Sequence, residues 1–390
     1  MSDTARNLIQ MTVSSVASAG LGTLTLGSAV ADYLAFEAGD DGLTFTVTIT
    51  ETGVGQEVNT GCTYTHSGTT LTRGTLEKST TGAAIAFSSA AIVSVVAAAS
   101  WGNNVNRLMR GLTPGGRLTT ESGVPVSTSD RTAQSTIYYT PFVHDQIVLW
   151  DGTNWRPYTF TETSLALSGL TSDKPYDVFG YVSSGVLALE LLVWTNDTTR
   201  ATAVTLQDGR YCKSGDKTRL LLGTIYTTGT TTTADAAATR YVGNVYNQQA
   251  RRMFSCPAYS DGGSVTSYSL TSATWSEANA GTGSRVSYVL PLPAMAAVGI
   301  QAVGDPAATF SIGAGIGNDS SSTASIELLG VTSARISAST LARFQKDAGK
   351  HFGALLLRTS GGTATIYADD ARSGGSADPA LTLIHGEVCV

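Results

Sequence analysis

Apolar and polar residues alternate along most of this chain. In LTFTVTITET, residues Leu43 to Thr52, the side chains of Leu43, Phe45, Val47 and Ile49 fall on one face and threonines on the other. A period of two is that of a half-buried strand. Threonine, branched at Cβ, suits the solvated face of a pleated sheet. NLIQMTV, GTLTLG and AIAFSS carry similar runs between glycine-rich turns. Residues 1–100 are therefore expected to form a small antiparallel β domain.

The period changes after Ser100. Val105, Leu108, Met109 and Leu112 recur at i, i+3, i+4 and i+7, one stripe of a short helix stopped by Thr113-Pro114-Gly115-Gly116. A stripe this narrow has to pack on a neighbouring domain or on its copy in another subunit, so these four are candidate oligomer contacts. The following TPGGRLTTESGVPVSTS has linker composition, and 101–129 is read as helix plus linker.

From Asp130 to Met253 strands return with more aromatics. DQIVLWDGTNWRPYTF predicts a hairpin turning at Asp151-Gly152. YDVFGYVSSGVLALELLVW predicts two strands around Ser-Ser-Gly, and RLLLGTIYTTG another. In RYVGNVYNQQARRM, Val242, Val245, Tyr246, Gln249 and Met253 suggest a short helix, with Arg251 and Arg252 at its negative end. The 254–390 portion alternates again. SYVLPLPAM, with two prolines, fits an edge strand or extended crossing, and FSIGAGIG, ASIELLG, GALLLRT, ATIYAD and LTLIHGEVCV are strands at the spacing of a sandwich or jelly roll. The expected fold is mainly β: serial antiparallel sandwich or jelly-roll modules with a few short helices at the junctions.

Composition sharpens this picture. Only 14% of the 390 residues are charged and 42 are glycine, well short of the roughly 25% charge of ordinary soluble domains. Net charge is −6, which argues against a polyanion partner such as nucleic acid. Cys62, Cys212, Cys256 and Cys389 are scattered and form no CxxC pair, so they read as free thiols. The start, MSDTARNLIQMTV, lacks signal-peptide pattern, and the apolar run Ala90–Ala99 is shorter than the roughly 20 residues a bilayer span needs. No membrane insertion is expected.

Several words of the middle segment occur together in fixed order: YYTPFVHDQIVLWDGTNWRPYTFTETSLAL, then YDVFGY, LALELLVWTNDTTRATAVTLQDGRYCKSGDKTRLLLGTIYTTG and RYVGNVYNQQARRM. They resemble a module of tail fibres and other virion structural proteins of tailed bacteriophages. The stretch from GLGTLTLG to AIAFSS is similar to a domain at the start of tail-fibre and tail-associated proteins. Together the two cover about two thirds of the chain, and the C-terminal portion matches no named motif. The resemblance implies a trimeric tail fibre or tail-tip component, located in the virion and assembled in the host cytoplasm. Residues 1–100 would attach it to other virion proteins, and 254–390 would meet a receptor or partner. It transfers no catalytic residues. A capsid head fibre or decoration protein is the alternative, and a capsule-degrading enzyme would need a repetitive parallel β-helix that this sequence lacks.

Candidate chemistry is sparse. Trp150, Trp155 and Tyr158 could form a platform for stacking a sugar ring, or they could be core of a small β module, the reading that weighs more. His66, His144, His351 and His385 are scattered, and His144 and Asp145 alternate in direction along a strand. The pairs Asp40-Asp41 and Asp369-Asp370 have the setting of turn residues. GAGIGN, Gly313–Asn318, is a lone glycine-rich stretch without the context of a phosphate loop. GNDSSS and GDD offer too few oxygens for calcium. No catalytic residue, metal or cofactor is expected. Self-association is better supported, because sparsely charged modules leave apolar surface that a symmetric oligomer would cover.

Overall fold

In this computed structural model, residues 8–18, 21–96, 113–257, 267–281, 283–306, 310–331, 336–367 and 382–390 are described. They are mainly β, 60% strand against 2% helix, with no helix of seven residues or more. The chain divides into two units, Met1–Met109 and Arg110–Val390. Val105, Leu108, Met109 and Leu112 lie outside the described residues.

The first unit comprises β1 (Gln10–Val16), β2 (Leu24–Ala29), β3 (Thr44–Glu51), β4 (Gly55–Thr65), β5 (Thr70–Thr72), β6 (Thr75–Ser79) and β7 (Ile92–Val95). They run in the order β3-β7-β1-β2-β5-β4-β6, and β3 also pairs with β4. The sheet thus closes on itself as a barrel, with β6 outside the ring. Closure removes the unpaired edges that make isolated sheets sticky. The long β4 permits it: one side follows β3, while the other pairs first with β6 and then with β5. Phe45, Val47 and Ile49 point inward with Leu24, Leu26, Tyr64 and Val93, as the alternation requires. AIAFSS departs from expectation. Ile85 and Phe87 are buried in period two, yet no strand forms. The Ile85 N–H donates to Glu57 Oε2 at 2.9 Å, and the Ser88 N–H to Glu51 Oε2 at 2.7 Å. Carboxylates replace a ladder there.

The second unit holds several sheets. β8 (Gly116–Thr119), β10 (Thr136–Pro141) and β13 (Thr163–Ala166) form one, and β11 (Gln146–Trp150) with β12 (Trp155–Thr159) is a hairpin. β9 (Arg131–Gln134) belongs elsewhere. The next sheet is β15-β14-β18-β17-β16, with β14 (Pro175–Ser183), β15 (Val186–Val193), β16 (Val204–Gln207), β17 (Arg210–Lys213) and β18 (Asp216–Tyr226). β21 (Val242–Asn244) adds to β18. The supposed linker is the first correction here: Pro114–Thr120 is buried, because β8 is clamped between β10 and the core. A Cβ at Gly116 would sit 2.5 Å from the Tyr139 ring and 2.7 Å from that of Phe160, so the turn-like composition reflects close packing.

The two portions expected to part at residue 253 share two sheets. β19 (Thr233–Ala236), β20 (Thr239–Arg240) and β9 continue a sheet made with β25 (Arg285–Leu290), β27 (Ser311–Asn318), β28 (Ala324–Val331) and β30 (Gly349–Thr359). β24 (Ser276–Glu277) joins β30. β22 (Ala250–Ser255) pairs with β32 (Leu383–Cys389), which also flanks β26 (Ala294–Pro306); β26 in turn carries β29 (Ile336–Lys346) and β31 (Ala364–Tyr367), with β23 (Ser267–Leu270) beyond. Val286, Tyr288, Ile312, Ile316, Leu355 and Leu357 of the first sheet meet Val298, Ile300, Ile384 and Val388 of the second in a sandwich core.

Two further expectations change. Residues 242–253 form strands β21 and β22, not a helix. Arg251 is buried and bonds Asp235 at 3.2 Å, beside Arg240 at 3.0 Å. Such a buried charge set fixes strand placement, where a helix end would leave the arginines in water. In SYVLPLPAM the strand β25 is interior, between β30 and β20, and the prolines lie in the turn before β26. In the turn, proline's lack of an N–H costs no ladder hydrogen bond.

Candidate functional site

The β11–β12 hairpin is anchored from beneath. Ile147, Val148 and Leu149 are buried, and the register sets Trp150 opposite Trp155. The turn is closed by one side chain: Asp151 Oδ1 accepts the Thr153 and Asn154 N–H groups at 2.8 and 2.7 Å, and Oδ2 pairs with Arg156. These donors, the Asn154 N–H foremost, hold the Asp151 carboxyl down at about 2. Gly152 follows at φ +103°, a conformation that suits glycine.

The three aromatic residues divide by role. Trp155 is half-buried against the module core; its indole N–H donates to Asp208 Oδ2 at 2.9 Å, and the Arg210 guanidinium covers its ring at 4.6 Å. That hydrogen bond is also the first cause of the depressed Asp208 pKa. Tyr158, opposite Ile147, packs on the same core. Trp150 meets the edge of Trp155, ring centroids 5.5 Å apart at 64°. It also forms one wall of a groove of about 340 Å³, completed by Gly152, Gly215, Asp216, Lys217 and Thr218.

The groove's far wall is the turn from β17 into β18. Asp216 Oδ1 accepts the Thr218 hydroxyl at 2.6 Å and its N–H at 3.1 Å, and the Thr218 hydroxyl is the first cause of a lowered Asp216 pKa. The Lys217 ammonium is exposed and has no hydrogen-bond or ion-pair partner among the described residues. The Thr218 hydroxyl also accepts from Arg219 Nη1 at 2.8 Å and is thereby occupied, but an aromatic wall faced by a carboxylate and an ammonium is suited to a polyhydroxylated ligand: the ring covers C–H faces while the charged groups take hydroxyls. The sequence brought Trp150 and Trp155 together but missed the second wall. SGDKT reads as a turn, and only the sheet brings it to the hairpin.

The other candidates have structural employment. Asp40 Oδ2 accepts the Glu37 N–H at 2.8 Å and closes a turn, while Asp41 Oδ1 accepts the His66 N–H at 2.7 Å and ties that turn to the end of β4. His144 Nδ1 accepts the Gln146 N–H at 3.1 Å. Asp319 of GNDSSS accepts from Lys346, His351 and the Phe352 N–H, donors that hold its carboxyl well below the usual range against the opposing effect of burial. Asp369 and Asp370 lie outside the described residues. Cys62, Cys212 and Cys256 are buried and Cys389 is exposed, all as free thiols. Burial pushes the Cys212 thiol up to about 11. Among the described residues no group of three or more His, Cys, Asp or Glu side chains could hold a metal ion, and no helix is long and apolar enough to cross a membrane.

No family model matches the chain. No curated protein matches it either. Solved structures similar to it include the insecticidal δ-endotoxin Cry8Ea1 of Bacillus thuringiensis, at 10% identity and TM-score 0.22, covering 71% of this chain and 52% of that one. A Bacillus thuringiensis Cry1Da tryptic core variant gives 8% identity and TM-score 0.19, covering 73% and 54%. The infectious bursal disease virus Gx strain gives 11% and 0.15, covering 99% and 76%. The chain thus spans about half the length of the two toxin structures. Overlap at these scores establishes no common topology.

Proposed function

We propose that this chain is a structural, adhesive protein of a tailed-bacteriophage virion, a trimeric tail fibre or tail-tip component. It is not read as an enzyme. The Trp150 groove is its contact for a host surface glycan. The observation that carries the adhesive part is the division of labour in the hairpin: Trp155 and Tyr158 are spent on packing, while Trp150 is held at the mouth of a groove with Asp216, Lys217 and Thr218. The phage-fibre resemblance of the sequence, together with the all-β build, supports the virion part.

Two exposed apolar side chains on an outer sheet face support self-association. In one cross-strand row Phe254, His385, Gly299 and Leu341 lie side by side on β22, β32, β26 and β29. Phe254 is 44% exposed and Leu341 55%, and the next row on this face carries Arg252, Glu387 and Arg343. Exposed apolar side chains rimmed by charge are suited to a contact surface, and three weak glycan sites on one particle gain strength through effective concentration.

Three measurements test this reading. Immunogold labelling of intact particles should place the protein on the tail; absence from the virion overturns the assignment. Sedimentation should give a trimer that Phe254→Glu with Leu341→Glu dissociates, and a monomeric wild type removes the oligomer. Calorimetry with host surface polysaccharide should show binding that Trp150→Ala weakens roughly tenfold or more, as loss of a stacked aromatic implies. Unchanged binding would remove the groove from the function.

A further inference from the structure

The GAGIGN stretch, featureless as a phosphate loop, acquires a purpose from what lies on it. Trp275, just before β24, crosses β27 on its glycines: a Cβ at Gly313 would sit 3.0 Å, and at Gly315 3.3 Å, from Trp275 Cη2. The indole N–H donates to Glu327 Oε1 on β28 at 3.1 Å. Over the ring, at 4.5 Å, lies the guanidinium of Arg358, which stands directly opposite Gly313 in the β27–β30 register. Glu327 Oε2 is 3.7 Å from Arg358 Nη2, the one ion pair Arg358 has among the described residues. Indole and carboxylate together fix the arginine's fork while leaving Nε and Nη1 unengaged among the described residues.

Beside this fork is a pocket of about 230 Å³ lined by Ala273, Ser311, Gly313, Arg358, Thr359 and Ser360. Ser360 Oγ accepts the Ser311 N–H at 2.9 Å, so its own proton remains to donate. Thr359 turns its hydroxyl to the Gly361 carbonyl at 2.7 Å and is thereby occupied. The lining brings Arg358 together with Ser311 and Ser360, and none of the six lining residues is acidic.

We propose that this pocket is a second binding site, which takes the carboxylate of an acidic sugar. A guanidinium N–H gives a carboxylate a charge-assisted hydrogen bond, and with Nη2 beside Glu327 that bond comes from Nε or Nη1. Arg358, already paired with Glu327, can offset at most the single charge of a carboxylate, which disfavours a phosphate dianion. The volume falls below the roughly 300–1,000 Å³ of sites for larger molecules, so one sugar ring is the fitting size, its hydroxyls meeting Ser311 and Ser360. The site is independent of the virion reading and of the Trp150 groove.

Calorimetric titration of the full chain with glucuronate, glucose, acetate and inorganic phosphate tests it. Glucuronate should bind, acetate more weakly, and glucose and phosphate not measurably. Arg358→Gln should weaken glucuronate roughly tenfold or more, the cost of a lost charge-assisted pair, and Arg358→Lys should weaken it less. Trp150→Ala should leave it unchanged. Both Arg358 variants should keep the wild-type circular dichroism spectrum. No glucuronate binding, equal binding of glucose or phosphate, or full affinity in a folded Arg358→Gln protein would each overturn the proposal.

Discussion

Two indole–guanidinium–carboxylate clusters use the same three groups to opposite ends. At Trp155, Asp208 and Arg210 hold a ring that is already wedged against the module core, and the neighbouring Trp150 is what reaches the groove. At Trp275, Glu327 and Arg358 hold a ring that rests on glycines of an outer sheet face, and the arginine is what reaches the pocket. The first arrangement presents an aromatic surface and the second a cation. The bed beneath the ring makes the difference: apolar side chains under Trp155, bare backbone under Trp275.

Removing the rings should separate the two most sharply. Trp155→Ala opens a void against the core and should cost about 3 kcal/mol, at the lower end for such truncations, read from chemical denaturation of the full chain. Trp275→Ala removes a ring lying on a sheet surface and should cost about 1 kcal/mol. Equal losses would mean the two beds do not differ. Gly313→Leu comes next. It should lift the indole at a stability cost of about 1 kcal/mol and abolish glucuronate binding; retained binding would show that Arg358 is placed without Trp275.

Trp150→Ala should change stability by less than about 1 kcal/mol, since the ring is half-exposed, while weakening polysaccharide binding roughly tenfold or more. The smallest effect is a titration. Asp151 is held at about 2 against an ordinary 3.8, so protonation is resisted by the folded turn. Its contribution is complete above pH 4 and is lost as the pH falls towards 2. Proton NMR of the Trp150 indole should follow that loss, and Asp151→Asn should flatten it.

Where burial and strand coincide, the sequence was readable. Thr44–Glu51 alternates, pairs and buries as its pattern says, and the hairpin at Asp151 turns where Asp-Gly predicts. Reading failed where a buried backbone group was served by something distant. Ile85 alternates like a strand, but its N–H partner is a carboxylate on β4. Residues 113–120 have the composition of a linker, yet Leu118 N–H donates to the Asn244 side chain at 2.7 Å. In 242–253 the spacing of apolar residues mimicked a helix, because a bend between β21 and β22 interrupts the period of two. The sites suffered similarly. Tryptophans announce themselves, but Lys217 and Arg358 gain meaning only from neighbours that the sheets supply.

The placement of β32 has an outcome for how this molecule comes into being. Leu383–Cys389 lies between β22 and β26, inside its sheet rather than at the border. Until that segment leaves the ribosome, β22 and β26 each present an unfinished flank, and Met253 and Phe254 wait for Gly386 and His385 respectively. The second unit therefore completes itself late, from contacts between residues far apart in sequence, a slow route that favours association with other chains meanwhile. A polypeptide stopped at residue 382 should accumulate in inclusion bodies, and supplying Leu383–Val390 as a free peptide during refolding should rescue part of it.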